Sequence, residues 1–512
     1  MNGAESLVHT LLACGVDTCF ANPGTSEMHF VAALDRIPGM RAVLGLFEGV
    51  VTGAADGYAR MSGRPAACLL HCGPGLANGL ANLHNARRAR SPLLAIIGDQ
   101  ATYHRPLDAP LTADTEGWAR PVSAFVRTAT SAANVGQDAA MAVRAARGWP
   151  GQIASLILPA DTAWDEGGVV AAPLPITPAP APDPWAIEQA GRILRSGEPT
   201  MLLLGGATLN ASPLENAWHI AAASGARLSA QQQNARIARG RGRVPIARVP
   251  YPLDQALAAF AGLRHLILVG ASVPVSFFAY PGRPNRLAPP ACDIHILARP
   301  DQDGPAALAA LAAAIGAAPA PIPESPRPLP AQGALTPETA AETILALLPD
   351  EAVVIDEAGS FGRGIFAQSH RAARHDWLQL TGGAIGDGLP MATGAAIGAP
   401  GRRVVALQAD GSAMYTLQAL WTQAREKLDI TTIVFANRRY AILQHELAGV
   451  GANPGPRAHA MMSLADPDLD WIKLAEGHGV AAAGATDCET LATLLAQSFR
   501  HRGPFLIALN VD

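Results

Sequence analysis

Two short stretches carry residue types that could do chemistry together. In "LQADGSAMYTLQALWTQAREKLDITTIVFANRRYAIL" the triplet Asp410, Gly411 and Ser412 precedes Asn437 by the length of one helix and one strand. The pattern reads as strand, tight turn, helix, strand and Asn-led loop, which puts Asp410 and Asn437 at strand ends on one sheet edge. A helix starting just after Gly411-Ser412 offers free N–H groups and a positive dipole end to a phosphate. Asp410 and the side-chain oxygen of Asn437 are hard donors of the kind Mg2+ takes, alongside carbonyl, water and phosphate oxygens. The set describes a metal–diphosphate clamp, although read alone Asp-Gly-Ser is also an ordinary turn and Asn437 a loop residue.

The second stretch is "LGLFEGVVTGAADGYAR", where Glu48 stands among Leu44, Leu46, Phe47, Val50 and Val51. On an exposed helix face a glutamate would be expected to have charged partners three and four positions away. Val51 and Thr52 stand there instead, with Leu44 four positions before. Glu48 is therefore expected to be buried, where loss of water raises a carboxyl's proton affinity and strengthens the hydrogen bonds it makes.

These residues need a scaffold, and the chain is long enough to supply one several times over. At 512 residues it is too long for one core, and 49% hydrophobic against 16% charged residues implies compact domains. Pro/Ala-rich segments at 171–184 ("AAPLPITPAPAPDP") and 316–337 ("GAAPAPIPESPRPLPAQGALTP") suit extended linkers. They divide the chain into units over 1–170, 183–316 and 335–512. In each, short apolar runs such as "PLLAIIGD", "TMLLLGG" and "RRVVALQAD" alternate with alanine-rich helical stretches. That alternation predicts an α/β fold of three doubly wound parallel-sheet domains, with ligands beyond the carboxyl ends of the strands.

A net charge of -4 gives no pull toward nucleic acid or an anionic membrane, so a small-molecule partner is expected. No apolar run is long enough to span a bilayer, and the N-terminus lacks a signal-peptide pattern, so the expected location is cytoplasmic. The six scattered cysteines have neither CxxC nor paired Cys/His spacing and suggest neither a zinc site nor a disulfide framework.

The spacing from Asp410-Gly411 to Asn437, with Tyr440 three residues on, resembles the cofactor motif of thiamine-diphosphate enzymes. The resemblance implies that Asp410, Asn437 and the backbone carbonyl of Arg439 hold Mg2+, with Gly411 and Ser412 at the diphosphate. "DEAGSFGRG" is similar to the family's diphosphate loop, making Ser360 a donor, though it is also an ordinary Gly-Ser turn. "TGGAIGDGLPMATGAAIGAP" looks like the segment along the cofactor's middle: Gly383 would accept from the aminopyrimidine, and Ile385, by default a core residue, would be the wedge that bends the cofactor.

"ANPGTSEMHF", "LFEGVVTGAADGYAR" and "CLLHCGPGLANGLANLHNARRARSPLLAIIGD" resemble, in order and spacing, the family's pyrimidine-binding domain. Glu48 matches the buried glutamate that bonds the pyrimidine ring and so activates the cofactor, and Asn78 is placed near diphosphate or substrate. In the family the two cofactor-binding domains come from different subunits, so a homodimer or homotetramer is implied.

Within the family the motifs are closest to acetolactate synthase large subunits and to benzoylformate decarboxylase. Thr25, Ser26 and His71 resemble the decarboxylase's substrate side, where a hydroxyl contacts the substrate carboxylate and a histidine relays protons. The decarboxylase's second active-site histidine falls at Phe277, which would slow aldehyde release and favour carboligation. Departures from acetolactate synthases are Phe47 before Glu48, the absence of Trp in "YAILQHELAG", and no recognisable FAD features, so FAD is not expected. Ala409 and Ala436 stand where the family usually has Gly and Asn.

The expected activity is thus decarboxylation of a 2-oxo acid and ligation of the carbanion to a second carbonyl, acetolactate synthase-like, with thiamine diphosphate and Mg2+. The alternatives are a non-oxidative 2-oxo acid decarboxylase and a cofactor-free regulatory paralogue.

Overall fold

The apolar runs become strands that are buried along their whole length. Leu93–Asp99 and Ile153–Pro159 show no alternation of inside and outside, as befits parallel strands covered by helices on both faces. The computed structural model describes residues 1–511, so Asp512, the last residue of the expected C-terminal unit, lies outside the described residues.

Three sheets result. The first has six parallel strands in the order Arg41–Leu44, Thr18–Ala21, Ala66–Leu70, Leu93–Asp99, Ile153–Pro159 and Phe125–Thr128. The second has five parallel strands, with Thr200–Leu204 between Arg227–Ala230 and His265–Val269. The third has seven, and its central run is Ile430–Ala436, Val404–Ala409 and Ala352–Glu357. The expected α/β class with three doubly wound parallel sheets is the class found.

The middle of the chain does more than fill its own sheet. Ile237–Arg239 pairs antiparallel with His375–Gln379 and becomes the edge strand of the third sheet. Arg239 seals this graft: it is buried and donates to Ser369 Oγ (2.9 Å) and the Phe366 carbonyl (2.7 Å). The graft covers a sheet edge that would otherwise be open. Of the two proline-rich segments, residues 171–183 and 317–332 hold no helix or strand, whereas their last residues, Pro184 and Pro337, open the helices that follow.

The outer units pack directly on each other. Helix Glu48–Ser62 lies against helix Gly388–Gly398, and the contact runs backbone to backbone. A Cβ at Gly57 would sit 2.1 Å from the Met391 carbonyl oxygen, and one at Gly394 would sit 1.7 Å from that of Ala54. Only small residues permit such an approach, which explains "GAADGYAR" and "MATGAAIG". Arg60, buried here, bonds Asp56 at its own level and crosses to the Gln379 carbonyl (2.6 Å) and Thr381 (3.0 Å).

One expected element differs. The chain after Ser412 does not continue as one helix: a single turn, Asp410–Ala413, is followed by turns, and the helix proper is Ala419–Arg425. Thr416 in the break donates to the Gly386 carbonyl (2.8 Å), so the interruption ties this segment to the loop that carries Ile385. No helix among the described residues is long and apolar enough to cross a membrane.

Candidate active site

The carboxyl ends of Ala352–Glu357, Val404–Ala409 and Ile430–Ala436 open on a cleft of about 700 Å3 whose opposite wall is residues 245–252 of the middle unit. Ser360, Ile385, Asp410, Gly411, Ser412, Asn437 and Arg439 all line it. Asp410 is buried, and its two carboxylate oxygens accept N–H groups from Gly411 and Arg438, each at 2.7 Å. Burial pushes this carboxyl above the usual range, and those backbone donors pull it back. Arg438 has φ 56, and this left-handed residue bends the loop so that the Asn437 side-chain oxygen accepts from the Arg439 N–H (3.2 Å). Ser412 donates to the Ala409 carbonyl (3.1 Å) and accepts from Gln408 (2.7 Å).

The loop that carries Gly383 and Ile385 is held from two domains. Glu357, buried, accepts from the N–H groups of Gly386 (2.7 Å) and Gly388 (2.8 Å) and from Gln408 (2.7 Å). From the first domain, Asn85 exchanges two hydrogen bonds with Ala384, and Asn82 donates to the Gly386 carbonyl (3.2 Å). Gly383 stands just outside the cleft lining with φ 81, and the Phe277 ring lies 3.1 Å from where its Cβ would be. A side chain at Gly383 would be strained by that φ and would press on the ring.

The N-terminal candidates form a second cluster. Glu48 is the first residue of its helix, 6% exposed, and accepts from Asn78 Nδ2 at 3.0 Å. Gly75 leaves room beside its Oε1, where a Cβ would come within 3.0 Å. Phe47 packs its ring over Gly49 and against a core of Val50, Leu389, Ala413 and Trp471, so it anchors the entry of this helix on the C-terminal domain. His71 lies between strand Ala66–Leu70 and helix Cys72–Ala89, with Nδ1 2.9 Å from Glu27 Oε2 and 3.4 Å from Ser26 Oγ. Thr25 is exposed at the start of the turn Thr25–Glu27.

Glu48, Asn78, Thr25, Ser26 and His71 do not line this cleft within one chain.

Three residues that sequence reasoning did not single out belong to these clusters. Glu27 is 1% exposed, accepts the Gly24 N–H (2.7 Å) and a hydrogen bond from Ser26, and faces His71. It lies inside "NPGTSE", but its partner is 44 positions away. Glu357 lies inside "DEAGSFGRG", where the Gly-Ser pair drew attention instead. Asp387 is buried with neither carboxylate oxygen hydrogen-bonded; burial, then nearby Asp56, push it well above the usual range, and Arg60 at 3.9 Å offsets this only in part.

Known proteins bear on the same residues. Residues 1–118 match the thiamine pyrophosphate enzyme N-terminal TPP binding domain and residues 358–509 the C-terminal TPP binding domain. A Mycobacterium tuberculosis protein provisionally named acetolactate synthase large subunit IlvX is 50% identical over 100% of this chain and 99% of its own. The chain belongs to the thiamine pyrophosphate enzyme family.

Other members are more distant. Benzoylformate decarboxylase of Pseudomonas aeruginosa is 30% identical, covering 96% of each chain. Among solved structures, a Rhodococcus jostii thiamine diphosphate-dependent 4-hydroxybenzoylformate decarboxylase superposes with a TM-score of 0.86 at 23% identity, covering 100% of both chains, which establishes the shared fold.

The cleft suits the family's cofactor in its donor chemistry. A carboxylate, an amide oxygen and the Asn437–Arg439 loop backbone meet at its edge, and Ile385 supplies an apolar wall. The two positions that depart from the family pattern, Ala409 and Ala436, are the last residues of adjacent strands and bring no side-chain donor atom to the cleft.

Proposed function

We propose that this protein decarboxylates a 2-oxo acid and joins the product to a second carbonyl compound, in the manner of acetolactate synthase, using thiamine diphosphate and Mg2+. The observation that carries the reading is the convergence of Ser360, Ile385, Asp410, Gly411, Ser412, Asn437 and Arg439 on one cleft. Asp410, Asn437 and the Arg439 carbonyl would hold the metal, and Ser360 with the Gly411-Ser412 turn would receive the diphosphate. When bound, thiamine diphosphate supplies the carbanion chemistry that releases CO2 from 2-oxo acids.

The chain's own residues do the rest. Glu48 would hydrogen-bond the pyrimidine ring, its carboxyl oriented by Asn78. A proton on His71 Nδ1 donates to Glu27 and leaves Nε2 to exchange protons with substrate, while Ser26 and Thr25 bind the substrate carboxylate. Because Glu48 does not line the Asp410 cleft within one chain, the working unit is a homodimer or a tetramer of dimers in which a second copy supplies Glu48.

Phe277 favours carboligation, since it places an aromatic ring and no titratable proton beside Gly383. His370 also lines the cleft, but burial lowers its proton affinity and its Nδ1 faces the Ala367 carbonyl (3.0 Å). A second reading, decarboxylation of an aryl 2-oxo acid to the aldehyde, draws on the ring cluster of Tyr251, Phe277 and Phe278, whose centroids lie 5.2 and 4.8 Å apart in sequence.

Purified protein given pyruvate or benzoylformate separately, with thiamine diphosphate and Mg2+, distinguishes the readings. Carboligation predicts CO2 with acetolactate or acetoin-type products; CO2 with free aldehyde alone would contradict it.

A further inference from the structure

Glu27, His71 and Cys72 present three different donor atoms to one point. A ring nitrogen of His71, the Cys72 sulfur and a Glu27 carboxylate oxygen all lie within 4.8 Å of one another, and no other group of three His, Cys, Asp or Glu residues does so among the described residues. Neighbouring residues in a chain rarely point their side chains to the same place. Here Cys72 has φ 51, a left-handed conformation unfavourable for a residue with a Cβ, and it brings the thiol beside Ser26 Oγ at 3.1 Å.

The rest of the cluster is fixed as well. The His71 ring packs on Gly24, where a Cβ would fall 2.2 Å from it, and the Gly24 N–H donates to Glu27. Glu27 and Cys72 are buried, whereas the His71 side chain is 23% exposed and gives solvent a way in.

Nitrogen, thiolate sulfur and carboxylate oxygen together suit a borderline-soft divalent cation, whereas Mg2+ takes oxygen alone. Ligands on a tetrahedral zinc stand about 3.3–3.8 Å apart, given bond lengths of about 2.0–2.3 Å. The 2.9 Å between His71 Nδ1 and Glu27 would need to open by less than an ångström.

We propose that Glu27, His71 and Cys72 form a binding site for one thiophilic divalent cation of the zinc class, separate from the Asp410 clamp. Binding joins the metal to the Cys72 sulfur and to His71 Nδ1, the Cys72 proton passes to solvent, and the imidazole proton resides on Nε2. Three protein ligands leave a fourth position for Ser26, water or an anion. The site itself does not depend on the reaction assigned above. Inhibition of turnover by the metal does, because it rests on the proton-relay role proposed for His71.

The test uses holoenzyme saturated with thiamine diphosphate and Mg2+ and titrated with Co2+, then with Zn2+. One Co2+ per chain is expected, with a thiolate-to-cobalt charge-transfer band that Zn2+ abolishes. Cys72→Ser should retain cofactor binding and lose the band. Its Co2+ affinity should fall at least about tenfold, the lower end of what an outer hydrogen-bond partner contributes at metal sites.

Absence of the band in the wild-type protein, which needs no variant to fold, would overturn the proposal. So would a Cys72→Ser protein that keeps the band. A band accompanied by unchanged turnover would leave the site standing and remove His71 from the reaction.

Discussion

Asn78 Nδ2 donates to Oε2 of Glu48 across 3.0 Å, joining helix Cys72–Ala89 to the first residue of helix Glu48–Ser62. A carboxylate at a helix start swings freely unless something orients it, and here Asn78 and the gap at Gly75 leave one oxygen bonded and the other open. Loss of a hydrogen bond to a charged group corresponds to about 1.5 kcal/mol, or about tenfold in rate. Asn78→Ala should therefore lower turnover by about tenfold while thiamine diphosphate affinity, measured by calorimetry, stays unchanged. An equal loss of affinity would make Asn78 a cofactor ligand instead.

The absence of Glu48 from the lining of the Asp410 cleft within one chain leads to a mixing experiment. Glu48→Gln and Asp410→Ala proteins should each be inactive, the second because calorimetry finds no Mg2+-dependent cofactor binding. When the two are unfolded and refolded together in equal amounts, half of the dimers carry one copy of each. One of the two sites in such a dimer has both native residues, so activity should recover to about a quarter of wild type. No recovery would place Glu48 and Asp410 of the same chain in one site.

Asp387 sets a pH dependence of stability. Its folded-state pKa is raised well above 3.8 by burial and by Asp56. The folded state thus holds this proton after the unfolded chain has lost it, so the contribution of Asp387 is full below pH 3.8 and declines as pH rises toward its folded-state pKa. Asp387→Asn does not titrate. Its thermal midpoint should gain on the wild type between pH 4 and pH 7; a constant difference across that range would show that Asp387 is already ionised.

Much of the cleft's lining was legible because its residues lie in short linear motifs at the ends of strands. Asp410 and Asn437 could be read from their places at strand ends, whereas Ser360 and Ile385 stood out only by likeness to the family's motifs; all four line one cleft because parallel strands end on one edge. What stayed hidden depends on partners remote in sequence. Glu27 gains its meaning from His71, Glu357 from Gly386 and Gly388, and Asp387 from Asp56 and Arg60, none of them related by periodicity. Likewise nothing local in Ile237–Arg239 signals that it leaves its own sheet for the edge strand His375–Gln379. The break after Ala413 escaped for the same reason, since it answers to Gly386 across the cleft.

The central claim, that Glu48 activates a cofactor held at the Asp410 cleft, is tested most directly by proton–deuterium exchange at the thiazolium carbon of bound thiamine diphosphate. Glu48→Gln should bind the cofactor almost as wild type does and exchange more slowly by about 100-fold or more, the scale of general acid–base catalysis. Unchanged exchange in a variant that still binds the cofactor would contradict the account.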